Sequence, residues 1–334
     1  MSSVNLGVSL EQAAQRLAAG GLVAFPTETV YGLGARADDD AAVAAIFAAK
    51  GRPSEHPLIV HVTDAAAADG FADHLNESAR RLMAAFWPGP VSVIVRRRAG
   101  LAGAAAGGQD SIALRCPAHP LAQALLARCA ALGVPGLAAP SANRFGRVSP
   151  TRAAHVADEF GPALWVLDGG DCALGIESAI VDCSRSSPVL LRPGTLGRAA
   201  LQAALGQPLL DADAAAPRAP GSLAAHYAPR ARLRLMDADA LDLALARRGA
   251  TAAALQTGNS LAVYSRRRPA GLAEHPPDIL WQAMPADPLD LAHELFAVLR
   301  DLDARGVQDV WVEQPNAAPQ WDGVRDRLRR AAAA

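Results

Sequence analysis

The chain carries 32 lysines and arginines, and only Lys50 is a lysine. It stands in the run Ala48-Ala49-Lys50-Gly51-Arg52-Pro53. Arginine presents a planar fork, whereas lysine presents a compact ammonium that meets a phosphate as a point charge. A chain that uses arginine everywhere else and keeps one lysine beside Gly-Arg-Pro points to a place that needs an ammonium. Compositional drift is the competing explanation. Arg52, Arg115 and Arg192 also sit in or beside loops with few acids. Four such cations have the chemistry of a polyphosphate or carboxylate cradle. Small and hydroxyl-bearing residues accompany them in Pro26-Thr27-Glu28-Thr29-Val30-Tyr31-Gly32-Leu33-Gly34, Pro140-Ser141-Ala142-Asn143, Ser149-Pro150 and Gly175-Ile176-Glu177-Ser178. His61 alternates with Val60 and Val62 and reads either as a ligand or as a satisfied core histidine. Ser141 and Asn143 read either as ligands or as turn caps. Gly32-x-Gly34 lacks the third glycine of a dinucleotide turn. No G-x-S-x-G elbow or G-x-x-x-x-G-K-[ST] loop is present, which removes α/β-hydrolase and P-loop chemistries.

These residues need elements to hold them at strand ends. Ser9-Leu10-Glu11-Gln12 reads as a capping box opening a helix that closes near Gly20. Leu22–Phe25 reads as a short buried strand stopped by Pro26. Asp38 to Asp40 cap a helix that runs to about Ala49, with Val43, Ile46 and Phe47 on one face. Strands are expected at 57–62, 91–95, 112–114, 136–139, 164–167, 178–182 and 189–192, with helices at 77–86 and 119–132. Intermixed strands and helices predict an α/β domain with a covered sheet, and loops at strand ends are where such sheets bind ligands. Residues 207–229 are rich in Pro, Ala and Asp and read as a linker. The pattern then restarts, with strands at 233–236, 261–264 and 307–312 and helices from about 238, at 289–304 and at 324–332. The expected domains are therefore 1–206, a linker or lid at 207–229, and a small open α/β domain at 230–334.

Composition sets outer bounds. With 334 residues the chain has room for two domains of about 150 residues each. A net charge of −1 provides no polycationic footprint for nucleic acid, so any anion site is local. The arginine triplets 96–98 and 266–268 read mainly as solvated strand ends, with RNA contact the weaker reading. Cys116, Cys129, Cys172 and Cys183 show neither zinc nor disulfide spacing and read as reduced, buried thiols of a cytoplasmic protein. The eight histidines show no H-x-x-x-H spacing, and no metal-ligating set is expected. Neither a signal peptide nor a membrane span is expected.

Taken in order, the runs F-P-T-E-T-V-Y-G-L-G, A-K-G-R-P, P-L-I-V-H, W-P-G-P, A-P-S-A-N, S-P-T, G-I-E-S and L-R-P-G resemble the YrdC-like threonylcarbamoyl-AMP synthases. The stretch A-P-G-S-L-A-A-H-Y-A-P and the second domain resemble the long, two-domain form, so the resemblance covers nearly the whole chain. It implies a YrdC-like twisted mixed sheet with covering helices, plus a smaller Rossmann-like α/β domain. It also implies that L-threonine, bicarbonate or CO2, and ATP with Mg2+ are joined into threonylcarbamoyl-adenylate with release of pyrophosphate. A separate transferase then uses the adenylate to modify tRNA.

By matched position, the resemblance puts Thr27, Tyr31, His61, Arg115, Ser141 and Ser178 on the threonine side. It puts Lys50, Arg52, Ser54, Ser111, Asn143, Ser149 and Arg192 on ATP, with Tyr227 reaching the nucleotide; Lys50 and Arg52 carry the catalytic charge. The chain departs from the family pattern at Glu55-His56, at Ser222 to Ala225 and at Trp321 to Val324. A non-catalytic RNA-binding module is the reading from another class. Carbamoyl transfer in hydrogenase maturation is a further enzyme alternative, without the acylphosphatase-like and zinc-finger segments of that context.

Overall fold

The computed structural model describes residues 7–252, 260–269 and 279–334. The chain divides into two compact units, one of Met1–Phe145 and Ser149–Leu223, the other of Gly146–Val148 and Ala224–Ala334.

In the first unit the elements run α1 (Leu10–Ala18), β1 (Val23–Phe25), β2 (Gly32–Arg36), α2 (Asp40–Lys50), β3 (Ile59–His61), α3 (Ala65–Phe71), α4 (Glu77–Phe86), β4 (Val91–Arg96), β5 (Ser111–Arg115) and α5 (Pro120–Ala131). They continue with β6 (Leu137–Ala138), α6 (Ala153–Phe160), β7 (Trp165–Val166), β8 (Ala179–Asp182), β9 (Val189–Arg192), α7 (Arg198–Leu205) and β10 (Leu210–Asp211). The strands form one mixed sheet in the order β10-β9-β8-β4-β5-β3-β6-β2-β1-β7. Parallel β3 and β5 put His61 opposite Arg115, and parallel β4 and β8 put Val91 opposite Ala179. Because β4 runs antiparallel to β5, the ends of β3 and β5 lie beside the beginnings of β4 and β8.

Period-two alternation gives this sheet two different faces. Val60, Val93, Ile112, Leu114 and Val181 enter the main core with Val43, Ile46 and Phe47 of α2 and Leu82 of α4. On the other face, Ile59, Ile94, Ala113 and Ile180 form a small apolar patch with Val189, Leu191 and Ala219. His61, Ser92, Ser111 and Arg115 alternate onto that second face, so the polar site residues border a thin apolar floor.

The capping box at Ser9 and Gln12 is present, and Asp39 caps α2 by accepting from the amides of Ala41 and Ala42. Gly51, at φ +63°, ends α2 with its N–H on the Ala48 carbonyl, while the Arg52 N–H reaches Phe47. That left-handed stop needs no Cβ and sets the direction of Lys50 and Arg52.

The second unit holds β11 (Arg232–Met236), α8 (Ala238–Ala252), β12 (Leu261–Ser265), β13 (Ile279–Ala283), α9 (Pro288–Ala304), β14 (Asp309–Glu313) and α10 (Asp322–Ala332). Its strands are all parallel, in the order β11-β14-β12-β13, and make a small open α/β sheet. Strand β13 is an addition to the expected elements.

The stretch 207–229 does not behave as one linker. Its first part stays with the first unit: β10 pairs with β9, Ala219 joins the apolar patch, and Arg192 Nη1 donates to the Pro220 carbonyl at 3.0 Å. From Ala224 onward the chain belongs to the second unit. Gly146–Val148 also packs there, with the Ala228 N–H on the Gly146 carbonyl.

Candidate active site

Lys50 is the last residue of α2, and its side chain is buried, with 2% of the residue exposed. Its ammonium donates to the backbone carbonyl of Ser141 at 2.6 Å and to that of Asn143. The Lys50 carbonyl in turn accepts the Phe145 N–H. The lysine therefore ties the Pro140–Asn143 loop to the end of α2. An ammonium has three N–H donors, so one remains after both carbonyls are served. Burial, and then the nearby Arg52 guanidinium, push its pKa well below the usual lysine range. A bound anion would oppose that push.

Arg52 is buried too, donating from Nη2 to the Pro57 carbonyl, with its guanidinium over the Phe145 ring at 5.6 Å. His56, one of the departures from the family pattern, meets the same ring edge-on. Asn143 donates from Nδ2 to the Arg144 carbonyl, and its own carbonyl is held by Lys50. Ser54 is exposed and lines a cavity of about 470 Å3 with Asp40, Phe47, Glu55 and Gly103; no other expected site residue lines that cavity.

The threonine-side residues split into ligand-like and scaffold-like groups. The Tyr31 and Thr27 hydroxyls each bond the protein's own backbone. The Tyr31 hydroxyl donates to the Gly170 carbonyl at 2.8 Å, lies 3.2 Å from Asp168 Oδ1 and accepts the Gly169 N–H; burial first of all pushes its pKa up. The Thr27 hydroxyl donates to the Val30 carbonyl at 2.6 Å and accepts the Val30 and Thr29 amides, so it closes the turn after β1. His61 is ligand-like. It is buried, Phe25 meets its ring edge-on, and its Nδ1 has no hydrogen-bond partner. Burial, with Arg115 beside it, lowers its pKa to about 3, so the imidazole is neutral at ordinary pH.

Arg115, at the end of β5, is buried and multiply held. Its Nη2 donates to Glu28 Oε1 at 2.6 Å, its Nη1 to Thr29 Oγ1 at 2.8 Å, and its Nε to the Gly89 carbonyl. Ser178 shares a hydroxyl contact of 2.8 Å with Ser92 and accepts Arg192 Nη2 at 3.2 Å, and Arg192 Nε donates to the Ser178 carbonyl. Gly194 lets this corner close: a Cβ there would lie 2.4 Å from the Ala179 nitrogen. Ser149 is fully buried and donates to Glu177. Ser111 opens β5, half-buried, on the face of Arg115.

Tyr227 belongs to the second unit. Its ring is buried, stacked at 5.5 Å on Phe296, with the Arg327 guanidinium 5.2 Å from its centroid. Its φ of +62° places a large residue in the left-handed region, a strained backbone of the kind that concentrates at functional positions.

Sequence reasoning did not single out Glu28, Thr29, Ser92 and Glu177, each of which bonds an expected site residue. Their signal was present but local: Glu28 and Glu177 are acids inside motifs otherwise poor in acid. The four cysteines are buried free thiols. Burial pushes Cys129 up to about 11 and Cys172 up to about 12, which leaves them unreactive. Among the described residues no group of three or more His, Cys, Asp or Glu is placed to hold a metal ion, and no helix is long and apolar enough to cross a membrane.

Comparison with known proteins shows the family of the chain. Residues 15–194 match the Sua5/YciO/YrdC family model described as "Telomere recombination", and residues 196–333 match the "Threonylcarbamoyl-AMP synthase, C-terminal domain" model. The threonylcarbamoyl-AMP synthase of Pyrococcus abyssi is 34% identical, over 98% of this chain and 96% of that protein. The Bacillus subtilis enzyme of the same name is 41% identical over 68% of this chain and 66% of that protein. A crystal structure of P. abyssi Sua5 complexed with L-threonine superimposes with a TM-score of 0.83 at 31% identity, covering 98% of this chain and 97% of that one. The chain belongs to the threonylcarbamoyl-AMP synthase family of enzymes, in its two-domain, Sua5-type form.

Proposed function

We propose that this chain makes threonylcarbamoyl-AMP and pyrophosphate from L-threonine, bicarbonate or CO2, and ATP, and supplies a transferase that modifies tRNA. One observation carries the reading: Lys50, Arg52, Arg115 and Arg192 are all buried within one unit, in or beside loops at the site. Burying a cation costs several kcal/mol after relaxation, about as much as an anionic ligand can return. The similarity to a Sua5 crystallised with L-threonine supports the amino acid half of the reading.

The chemistry asks little covalent work of the protein. Threonine's amine and CO2 form a carbamate, and a carbamate oxygen attacks the α-phosphorus of ATP. The bond to the bridging oxygen breaks, and pyrophosphate leaves with its electron pair. Positioning and charge stabilisation then dominate. Arg115 offers a fork to the amino acid carboxylate. The third N–H of Lys50, with Arg52 and Arg192, offsets charge on the phosphates. Neutral His61 adds no charge beside Arg115, and its unpartnered Nδ1 can bond the substrate's polar groups. Mg2+ held by the phosphates and water would lower the charge of the triphosphate. The N6-threonylcarbamoyladenosine product, and any direct tRNA contact, belong to the same reading.

Pyrophosphate release tests the proposal. It should require both threonine and bicarbonate; release that ignores threonine would contradict the reaction.

A further inference from the structure

We infer that Glu28 is a positioning residue that presets Arg115 for the substrate carboxylate; the inference rests on the threonine-binding reading above. Arg115 has five N–H donors, one on Nε and two on each terminal nitrogen. The fold takes one from each nitrogen: Nε by the Gly89 carbonyl, Nη1 by Thr29 Oγ1 and Nη2 by Glu28 Oε1. One N–H is left on each terminal nitrogen, the number that a carboxylate takes in a two-bond contact.

Glu28 is itself fixed at several points. Its Oε2 accepts the Ala118 N–H at 3.0 Å and its carbonyl accepts the Leu174 N–H at 2.7 Å. The ion-paired side chains are 4% and 10% exposed, so water competes little with the pair. Two segments far apart in sequence, the turn after β1 and the Gly89 loop, thus hold one guanidinium in one orientation. A preset donor loses little freedom on binding and needs no reorganisation. Glu28 also balances the buried charge while no ligand is bound.

The test is calorimetric binding of L-threonine, of L-threonine methyl ester and of ATP to the full chain and to two variants. Glu28→Gln keeps an oxygen for Arg115 but turns its amide N–H2 towards the Ala118 N–H, two donors facing each other. Thr29→Val keeps the ion pair and the volume and removes only the hydroxyl, which covers the case in which Glu28→Gln folds poorly. The expected result is threonine affinity weaker by about 10-fold or more in each variant, the scale of one lost hydrogen bond to a charged group. ATP affinity should stay within about 2-fold, and the preference for threonine over its ester, which lacks the carboxylate, should shrink in step. A purely structural Glu28 would not move that preference. Variants that bind threonine like the wild type, with the same preference, would overturn the inference. A wild type that binds no threonine would overturn the reading of the site itself.

Discussion

The two units treat charge in opposite ways. Among its described residues the second unit buries chiefly carboxylates, Asp309, Glu313 and Asp326, and pairs them with Arg232, Arg266 and Arg330. The Arg232 and Arg266 side chains stay 64% and 36% exposed, and pairs with a solvated partner contribute about 0–1 kcal/mol each. The first unit takes Lys50, Arg115 and Arg192 below the surface and spends backbone carbonyls, hydroxyls and Glu28 on them. Stability does not require this, because an apolar residue of similar size does as well or better in a core. The difference fits the proposal that the first unit receives the anionic substrates. The second unit has its own buried cation, Arg327, against the strained Tyr227. That exception falls at the one residue of the second unit expected to meet the nucleotide.

Exchanging the ammonium for a guanidinium strains the comparison hardest. Lys50→Arg keeps the charge but puts a larger, planar group into a buried pocket. Pyrophosphate release should fall by about 100-fold or more, the usual cost of losing a preorganised donor, with about 1–3 kcal/mol of overpacking. Wild-type turnover would show that the site does not need an ammonium. Gly194→Ala comes next. Its Cβ would press on the Ala179 nitrogen and shift Ser178 and Arg192, so turnover should drop about 10-fold or more. Unchanged kinetics would mean that this corner is not part of the site.

Acid should act through His61. Its folded pKa, about 3, lies below the free value of 6.5. Between those values the unfolded chain binds a proton that the folded chain refuses. Stability is therefore fully present above 6.5 and falls as pH drops towards 3, by at most about 1.4 kcal/mol per unit from this group. Urea titrations of wild type and His61→Phe should show a shallower acid slope in the variant. Equal slopes would place the loss elsewhere. Ser92→Ala removes the hydroxyl partner of Ser178 and should cost about 1 kcal/mol in thermal unfolding. At the small end, Arg267→Ala breaks an exposed pair in the second unit, and both stability and turnover should stay within about 0.5 kcal/mol of wild type.

Local chemistry is easy to read in the sequence, and distant pairing is not. The Ser9 capping box, the Asp39 cap, helix α4 and strand β9 lie where composition and periodicity put them. Strand β2 escapes a sequence reading because Gly-Leu-Gly-Ala-Arg has no β-branched residue; its ladder with β1 and β6 overrides that propensity. Strand β13 is a five-residue edge strand with exposed Leu280 and Trp281, so it lacks the buried alternation that marks a strand. Lys50, Arg52, Arg115 and Arg192 are legible as cations because few acids stand near them in sequence. Glu28 is not legible as the partner of Arg115, 87 residues away, because only the register of β5 and the turn after β1 brings them together. Thr27 and Tyr31 are legible as polar motif residues, but the bonds of their hydroxyls to the Val30 and Gly170 carbonyls are not revealed by type and spacing alone.

The central claim is that the first unit receives both an amino acid and a triphosphate and joins them through a captured carbon. Incubating the protein with ATP, Mg2+, L-threonine and isotopically labelled bicarbonate, followed by mass spectrometry of the nucleotide pool, tests it most directly. The account predicts an adenylate that carries both the threonyl group and the labelled carbon. A nucleotide pool without that adenylate, or pyrophosphate formed in the absence of threonine, would contradict it.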